Sequence, residues 1–435
     1  MNIFFYNFFT WLHTTGMLLV SPWNPKAGLW LRGRKNIMER IKTTLLTNNS
    51  PVTWMHCDSI GEFEQGLPIL EKIKMQYPDT KILITFFSPA GYEIRKNYDG
   101  ADYIFYLPVD FQKNARQFID AVNPAFVLWV KCGFMFHYLD ELKRRNIPAL
   151  LISGAFMDEQ PFFSWYGKVH RNMLQCFTHL FVQEEASVRL LSAIGISENV
   201  SISGDTRFDR VIEIAGQFEP VVLIEEFCGN NIPVIVAGST WEEDEEELDH
   251  YANTHPEIKF IIAPHEIDAE SLREVKKLFK QSVFLSALIE EKSNTQKPKL
   301  STSLSAILQQ PTANVLIIDN IGMLSQLYKY ATIAYVGGGF VDNGVHNVLE
   351  AAVYGKPVLF GPVIEQYIEV MELVDCGAGF VVDSALEVEE TFNRLLTNPE
   401  EYFASCKAAK DYVYSKTGAT EKIMEYIQEK RLLTS

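Results

Sequence analysis

The stretch "MHCDSIGEFEQGLPIL" (55–70) indicates the fold, because it joins an apolar run to a predicted helix. The run Val52–Met55 has the composition of a buried strand, and the helix predicted over Phe63–Tyr77 is closed by Pro78. A Ser-x-Gly turn at a helix start suits an anion, since free N–H groups and the helix dipole present partial positive charge there. The chain instead places Glu62 in this turn, either as an acidic helix cap or as a carboxylate held ionised for chemistry.

The same alternation of strand and helix patterns continues along the chain. Short β-rich runs separated by helical stretches follow Val52, and the rhythm restarts at "VIVAGS" (234–239). Strands that are buried on both faces and separated by helices indicate a parallel, doubly wound sheet. The sequence therefore predicts an α/β protein with two Rossmann-like domains facing a central cleft. The predicted segments are 1–45, 46–210, 211–415 and a C-terminal helix over 416–435 that is a candidate to cross back to the first domain.

Composition limits the class of protein. The 435 residues are 47% hydrophobic and 22% charged, which is ordinary for a globular chain of two domains. A formal net charge of −16 argues against nucleic acid as a partner, because backbone binding needs a basic surface. The six cysteines contain no C-x-x-C pair and no metal-ligand spacing, so no metal site is expected. Their mostly apolar surroundings predict buried free thiols in a reducing compartment.

The N-terminus differs from the rest of the chain. "IFFYNFFTWLHTTGMLLV" (Ile3–Val20) is mainly apolar and aromatic, and its length is marginal for spanning ~30 Å of hydrocarbon. Six lysines and arginines over 26–42 face one acid, Glu39. The pattern indicates a membrane anchor, either a short span or an in-plane helix, with the remaining chain on the positive, cytoplasmic side. The alternative is a hydrophobic helix docked on the protein's own core.

A second motif, "YVGGGFVDNGVHNVLEAAVYGKPVLFGP" (335–362), reads as strand, triple glycine, loop and helix. Gly337–Gly339 let backbone N–H groups approach a ligand, and a helix beginning near His346 with Asn347 as its cap would stabilise a phosphate. One turn later, Glu350 could reach ribose hydroxyls. The motif fits neither the dinucleotide-binding nor the P-loop pattern, and a purely structural turn and cap is the alternative.

Two loops of the second domain carry further candidates. Ser239 and Thr240 precede an acidic first helical turn, for which helix capping is the simpler explanation. His265 follows a predicted strand in "APHEID", and its alternative is a satisfied loop or core histidine. Each of these residues is a weak signal when taken singly.

Arg207 lies at the predicted domain junction in "GDTRFDR" (204–210). A guanidinium there can bind a phosphate or carboxylate through two hydrogen bonds. The alternative is a pairing with Asp205 or Asp209.

The order of these motifs resembles a known family, the membrane-anchored 3-deoxy-D-manno-octulosonic acid (Kdo) transferases of the Gram-negative lipid A pathway. "HCDSIGEFEQGLP", "YPDTKILITFFSPAGYE" and "YLPVDF" are similar to the first domain of that family. "ISGDTRFDRV", "GMLSQLYKYATIAYVGGGF" and "HNVLEAAVYGKPVLFGP" are similar to the second domain, in the same order. The resemblance extends from the anchor to about residue 380.

The resemblance implies a glycosyltransferase-B fold and a metal-independent, inverting transfer of Kdo from CMP-Kdo to a glucosamine hydroxyl of a lipid A precursor. It implies an acceptor-binding first domain, a nucleotide-sugar-binding second domain, and a location on the cytoplasmic side of the bacterial inner membrane. Glu62 matches the general base, and Arg207 a second catalytic position. Positions matching the nucleotide-sugar site are Ser239, Thr240, His265, Gly337, Gly338, Gly339, His346, Asn347 and Glu350. Positions on the acceptor side are Ser59, Gly61 and Ser88.

Three stretches depart from the family pattern. One is "APHEID" (263–268), which replaces a more basic run. "VKCGFMFHY" (130–138) stands where the family usually shows an acidic, tryptophan-containing run, and "VIEQY" (363–367) stands where a histidine and an asparagine are common. Two rival functions stay open: a glycosyltransferase-B enzyme that uses a UDP-sugar on another membrane lipid, and a catalytically silent membrane scaffold with the same fold.

Overall fold

The computed structural model describes residues 3–131, 133–295, 313–341, 344–365 and 367–433. The chain divides into two compact units. The first comprises Met1–Arg210 together with Lys416–Ser435, and the second comprises Val211–Ser415.

The first unit is built on a parallel seven-stranded sheet in the order β3-β2-β1-β4-β5-β6-β7. Its strands are β1 (Val52–Cys57), β2 (Lys81–Phe86), β3 (Tyr103–Tyr106), β4 (Pro124–Val130), β5 (Ala149–Gly154), β6 (His179–Val182) and β7 (Val200–Ile202). The central strand β1 is buried along its whole length. A strand covered on both faces reads as a continuous apolar run, which is why the sequence pattern identified it.

Helices flank this sheet and precede it. They are α1 (Ile3–Val20), α2 (Pro25–Arg34), α3 (Ile37–Leu45), α4 (Ile60–Gln76), α5 (Pro89–Arg95), α6 (Gln112–Val122), α7 (Phe136–Arg144), α8 (Lys168–Leu174) and α9 (Glu185–Ala193). Helix α10 (Thr206–Gly216) begins in the first unit and ends in the second. Helix α4 begins three residues earlier than predicted, because the hydroxyl of Ser59 caps its first turn. Glu62 therefore lies in the first turn, as expected.

The second unit repeats the architecture with the strand order β10-β11-β9-β8-β12-β13-β14, again parallel. Its strands are β8 (Val234–Thr240), β9 (Lys259–Pro264), β10 (Ser282–Phe284), β11 (Val315–Ile317), β12 (Ile333–Val336), β13 (Val358–Phe360) and β14 (Gly379–Val381). Its helices are α11 (Val222–Cys228), α12 (Glu242–Thr254), α13 (Ser271–Leu278), α14 (Leu285–Thr295), α15 (Leu324–Leu327), α16 (Leu349–Ala352), α17 (Ile368–Asp375), α18 (Ala385–Thr397) and α19 (Pro399–Ser415).

The C-terminal helix α20 (Ala419–Glu429) belongs to the first unit. Its buried residues Ile423, Met424 and Ile427 share one apolar cluster with β1 and α4. Just before it, the carboxylate of Asp209 accepts hydrogen bonds from the N–H groups of Gly418 and Thr420, both at 2.7 Å. The last helix thus completes the core of the unit in which the chain began.

The predicted fold class is confirmed, with two parallel α/β sheets of Rossmann type. Every apolar run that the sequence analysis took as a strand forms one. Strand β10 was not predicted, because it is only three residues long, half-buried and at the sheet edge. The five described cysteines are free, although only Cys57 and Cys228 are buried, and Cys132 lies outside the described residues.

Helix α1 is long and apolar enough to cross a membrane, judged by length and composition alone. None of its residues is fully buried, but Tyr6 packs against the apolar cluster of the first unit. Helix α1 is thus docked on this unit through one face, and its role as a membrane anchor stays a prediction. The other basic residues of segment 26–42 are exposed, but Arg34 is only partly exposed. Its guanidinium donates to the carbonyls of Leu107 (2.9 Å) and Phe87 (2.8 Å) and stacks on Trp30.

Candidate active site

Glu62 is held by the turn that follows β1. The Ser59 hydroxyl accepts the N–H of Glu62 at 3.3 Å, which starts helix α4. One carboxylate oxygen of Glu62 accepts the N–H of Asp58 at 2.5 Å. The carboxylate therefore contributes to the turn, as the capping alternative requires, and lies at the carboxyl end of a central strand, where open α/β sheets bind ligands.

The ionisation of Glu62 differs from the sequence expectation. Burial raises the pKa of Glu62 to about 7, and the neighbouring carboxylate of Asp58 adds to the rise. The N–H groups of Asp58 and Ser59 and the charge of Lys131 oppose this effect without cancelling it. The expectation that the helix N-terminus keeps the group fully charged at neutral pH is wrong, because desolvation outweighs the helix terminus here. A carboxylate with a pKa near neutrality is better matched to general-base work.

The predicted acceptor-side residues surround this turn. The Ser88 hydroxyl caps α5 by accepting the N–H of Gly91 at 3.2 Å, and the Ser88 N–H donates to the carbonyl of Asp58 at 3.0 Å. The turns after β1 and β2 are thereby joined. Gly61 is exposed, and a Cβ added there would meet only the Ser59 hydroxyl, at 4.0 Å. Contact of these residues with an acceptor stays a prediction.

Arg207 forms the ion pair that the sequence analysis gave as its alternative. Its guanidinium donates to Asp205 at 2.7 and 2.8 Å, and its backbone N–H donates to the same carboxylate at 2.9 Å. Although burial opposes it, the charge of Arg207 and these bonds hold the pKa of Asp205 below its usual range. Asp205 also accepts from Gln65 and Gln183. The pair belongs to a buried network in the first unit, and a direct role of Arg207 in catalysis stays a prediction.

In the second unit, His265 and His346 are brought together by a residue that the sequence analysis missed. The ring of His265 stacks on those of Trp241 (centroids 4.5 Å apart) and His346 (4.6 Å), in both cases at an interplanar angle of 22°. The indole N–H of Trp241 donates to Nε2 of His346 at 3.1 Å. The three rings follow β8, β9 and β12 and lie at the carboxyl ends of those strands. We call them the ring stack.

The ring stack is uncharged at neutral pH. Burial lowers the pKa of His346 to about 4, and the neighbouring His265 adds to the effect. Burial also lowers the pKa of His265, against the charge of Glu266. Neutral imidazoles beside an indole offer a flat surface and hydrogen-bonding edges, which suit an aromatic base or a polar ligand. Because they carry no charge, they are less suited to neutralising a phosphate. The position of Trp241 directly after Ser239 and Thr240 was the available signal.

The triple glycine does not present all of its N–H groups to a ligand. The N–H of Gly337 donates to the carbonyl of Gly238 at 2.9 Å, and that of Gly338 to the carboxylate of Asp244 at 2.8 Å. The φ of Gly338 is +97°, and a Cβ at Gly339 would lie 2.5 Å from the backbone N of Gly361. The glycines are needed here for backbone conformation and close packing, so the expected phosphate cradle is wrong at Gly337 and Gly338.

Asp244 is the second residue that the sequence analysis missed. Its carboxylate also accepts from the Trp241 N–H (2.9 Å) and the Tyr335 hydroxyl (2.8 Å). Asp244 was hidden in the acidic run after Thr240. From the first turn of α12, its side chain caps the start of the helix by accepting the Trp241 N–H. Because it also accepts the Gly338 N–H, it connects the glycine loop to Trp241 of the ring stack.

Thr240 does not face a ligand. Its hydroxyl donates to Glu245 at 2.8 Å and is buried, and burial raises the pKa of Glu245 to about 8. Neither Ser239 nor Thr240 caps α12, because the helix begins after Trp241. Ser239 adopts a left-handed backbone with φ +54°, and its carbonyl closely approaches Gly337.

The helix expected near His346 is shorter and later than predicted. It is α16, four residues beginning at Leu349, so its dipole is small. The N-cap residue is Val348 and not Asn347 as predicted. Asn347, one residue earlier, accepts the N–H of Leu349 at 3.2 Å, and its amide donates to Glu350 at 3.1 Å. Within the described parts of the chain, no group of three His, Cys, Asp or Glu side chains is placed to hold a metal ion.

Comparison with known proteins gives concordant matches. Residues 35–210 match the family model described as 3-deoxy-D-manno-octulosonic-acid transferase (kdotransferase). A 3-deoxy-D-manno-octulosonic acid transferase of Aquifex aeolicus is 26% identical over 369 residues, which cover 82% of this chain and 89% of that protein. A bifunctional glycosyltransferase/methyltransferase of Fusobacterium nucleatum is 24% identical over 87% of this chain, and the match spans 55% of that longer protein.

Among solved structures, the chain is similar to a UDP-GlcNAc 2-epimerase from Neisseria meningitidis. The TM-score is 0.59 at 18% identity, and the match covers 87% of this chain and all of that one. At this identity the likeness supports the two-domain fold of glycosyltransferase-B type and carries nothing about substrate.

Proposed function

Because residues 35–210 belong to the Kdo transferase family and known Kdo transferases align with most of the chain, we propose that this glycosyltransferase moves Kdo from CMP-Kdo to a lipid A precursor. The transfer is inverting and needs no metal ion. The single observation that carries the proposal is Glu62, a carboxylate with a pKa of about 7 in the Ser-x-Gly-Glu turn of the matched region.

In this mechanism the deprotonated carboxylate of Glu62 accepts the proton of the attacking acceptor hydroxyl. As the new C–O bond forms at the anomeric carbon, the bond from that carbon to the phosphate oxygen breaks, and CMP leaves with the electron pair. A single displacement of this kind inverts the anomeric configuration. General-base catalysis of this type contributes typically ~10²–10⁴-fold to the rate.

We assign the donor nucleotide to the second unit, where the ring stack offers a planar surface at the carboxyl ends of three strands. The Gly337 and Gly338 N–H groups are engaged within the protein, so they contribute little to charge balance at the phosphate. The N–H groups of His346 and Leu349 are likewise engaged. The N–H groups of Gly339, Asn347 and Val348 remain the assigned phosphate contacts.

The N-terminus supports an enzyme that works at a membrane surface. The outer side chains of α1 are apolar and exposed, and all basic residues of segment 26–42 except Arg34 are exposed. Exposed lysines and arginines attract anionic headgroups, and each contributes about 1 kcal/mol near the surface. We place the enzyme on the cytoplasmic side of the bacterial inner membrane.

The test is incubation of the full chain with CMP-Kdo and a lipid A precursor, with and without EDTA, and mass analysis of the product. We expect one or more Kdo additions, unaffected by EDTA, with inverted configuration by NMR. Glu62→Gln should abolish transfer and retain CMP binding. Glu64→Gln is the matched control, since Glu64 lies in the same helix and pairs with Arg95 at 2.7 Å. A product formed only from a UDP-sugar, or no product from any donor, would contradict the proposal.

A further inference from the structure

A cavity of about 590 Å³ lies within the first unit, between helix α1 and the loops at the carboxyl ends of the strands. Its walls are largely aromatic and apolar, and they include Phe9, Phe87, Phe134, Met135 and Phe162. Phe134 and Met135 belong to the stretch 130–138 that departs from the family pattern. The volume is within the range of ~300–1,000 Å³ that is usual for small-molecule sites.

Helix α1 forms one wall of this cavity with an unusual orientation. Its polar side chains face the protein: the Tyr6 hydroxyl donates to Asp110, and Asn7 Oδ1 lies 2.6 Å from Nε2 of His137. Thr10 lines the cavity on the same face. The opposite face exposes Phe4, Phe5, Phe8, Trp11 and Leu12. A helix with apolar side chains outward and polar ones inward suits contact with lipid.

Asp110 supplies an unmatched polar atom in this apolar cavity. Its side chain is only 5% exposed and lines the cavity. Oδ2 accepts from Tyr6 and from the N–H of His137 at 3.2 Å, and the N–H of Tyr138 also interacts with this carboxylate. Oδ1 has no partner within hydrogen-bonding geometry among the described residues. A buried oxygen without a partner costs roughly 1–3 kcal/mol, so a ligand with a hydroxyl or N–H donor would be favoured here.

The cavity also reaches a residue that is hydrogen-bonded to the candidate base. Asp58 lines it, and the N–H of Asp58 donates to Glu62. An amphiphile held with its chain in the cavity would therefore carry its polar head toward the turn that holds Glu62.

From these contacts we propose that the cavity binds one acyl chain of the lipid acceptor, with a hydroxyl or amide N–H of that chain donating to Asp110. The proposal rests on the proposed function and names the part of the acceptor that this chain recognises. Helix α1 is then an in-plane helix that forms part of the lipid site, and not a span that merely tethers the enzyme.

Filling the cavity tests this proposal. In Thr10→Trp the indole enters the cavity. The variant loses the helix back-bond from the Thr10 hydroxyl to the Tyr6 carbonyl and a hydrogen bond between the Thr10 and Tyr6 side chains. Thr15→Trp is the matched control, because Thr15 makes the same type of bond on the same helix and does not line the cavity.

Two readouts separate the possible outcomes. With CMP-Kdo, Thr10→Trp should raise KM at least about tenfold for the acylated acceptor and leave a deacylated, water-soluble acceptor unchanged. Independently of activity, a photoreactive hydroxy fatty amide should label segment 133–137 in the wild type and in Thr15→Trp and fail to label Thr10→Trp. A counterpart with an ester and no hydroxyl should label more weakly.

The readouts also distinguish the failure of this inference from that of the proposed function. Labelling as expected with no transfer to either acceptor overturns the proposed function and retains a lipid site. Transfer by Thr10→Trp with an unchanged KM for the acylated acceptor overturns the acyl-chain proposal, as does equal labelling of Thr10→Trp and Thr15→Trp.

Discussion

Glu62 lies among groups that act on its ionisation in opposite directions. Burial and Asp58 raise its pKa, while two backbone N–H groups and Lys131 lower it, and the outcome is about 7. The type of residue and its place in the first helical turn were predictable, because Ser59 and the following apolar run mark the helix start. The pKa was not, because it depends on how deeply the turn is buried, which a local pattern does not contain.

We therefore expect a pH-dependent rate governed by this group. The carboxylate must be deprotonated to act as a base, so kcat/KM should fall about tenfold per pH unit below pH 7 and level off above it. The profile should be measured between pH 5.5 and 8.5 with the acceptor held in one detergent. A flat profile across this range would show that Glu62 is not the titrating base.

The ring stack yields a second prediction at the scale of single residues. Trp241→Ala should weaken CMP binding roughly tenfold, within the ~1–3 kcal/mol of base–aromatic stacking. Phe403→Ala is the control, since Phe403 is a 67% exposed aromatic of the same unit, far from the ring stack in sequence. Calorimetric titration with CMP measures both. Equal affinities would place the nucleotide elsewhere.

At the scale of elements, the strands were predictable and the loops between them were not. Buried parallel strands are apolar along their whole length, so runs such as Val52–Cys57 stand out from the helices around them. The N–H of Gly338 is not free for a ligand, because it donates to Asp244. Asp244 lies in helix α12, 94 residues before Gly338 in the chain. Short elements such as β10 and α16 lack the length that gives a recognisable period.

The glycine loop gives a prediction at this scale. Gly338→Ala should lower the free energy of unfolding by more than ~3 kcal/mol, because strain at φ +97° adds to a Cβ placed 2.4 Å from the Gly344 carbonyl oxygen. Gly322→Ala has a similar φ of +101° and nothing within 4 Å, so it should cost only about 1 kcal/mol. Urea denaturation measures both, and equal losses would exclude the steric contribution.

At the scale of the whole molecule, both ends of the chain contribute to one core. Ile423 of α20 is fully buried in the cluster that contains β1 and α4. Ile423→Ala should therefore destabilise the first unit by ~2–5 kcal/mol, while Glu425→Ala on the exposed side of the helix should be nearly neutral. Hydrogen exchange should show faster opening of β1 and α4, with the second unit protected as before. Equal protection in both variants would contradict this packing.

This shared core has a consequence for biosynthesis. The second unit is a continuous piece of chain, 211–415, and has all of its strands and helices as soon as that piece has left the ribosome. Translation of the first unit begins earlier, but this unit lacks its buried helix α20 until the end of the chain has been translated. During that interval the apolar surface that α20 will cover stays open, which makes this stage of synthesis the one at which chaperones would matter most.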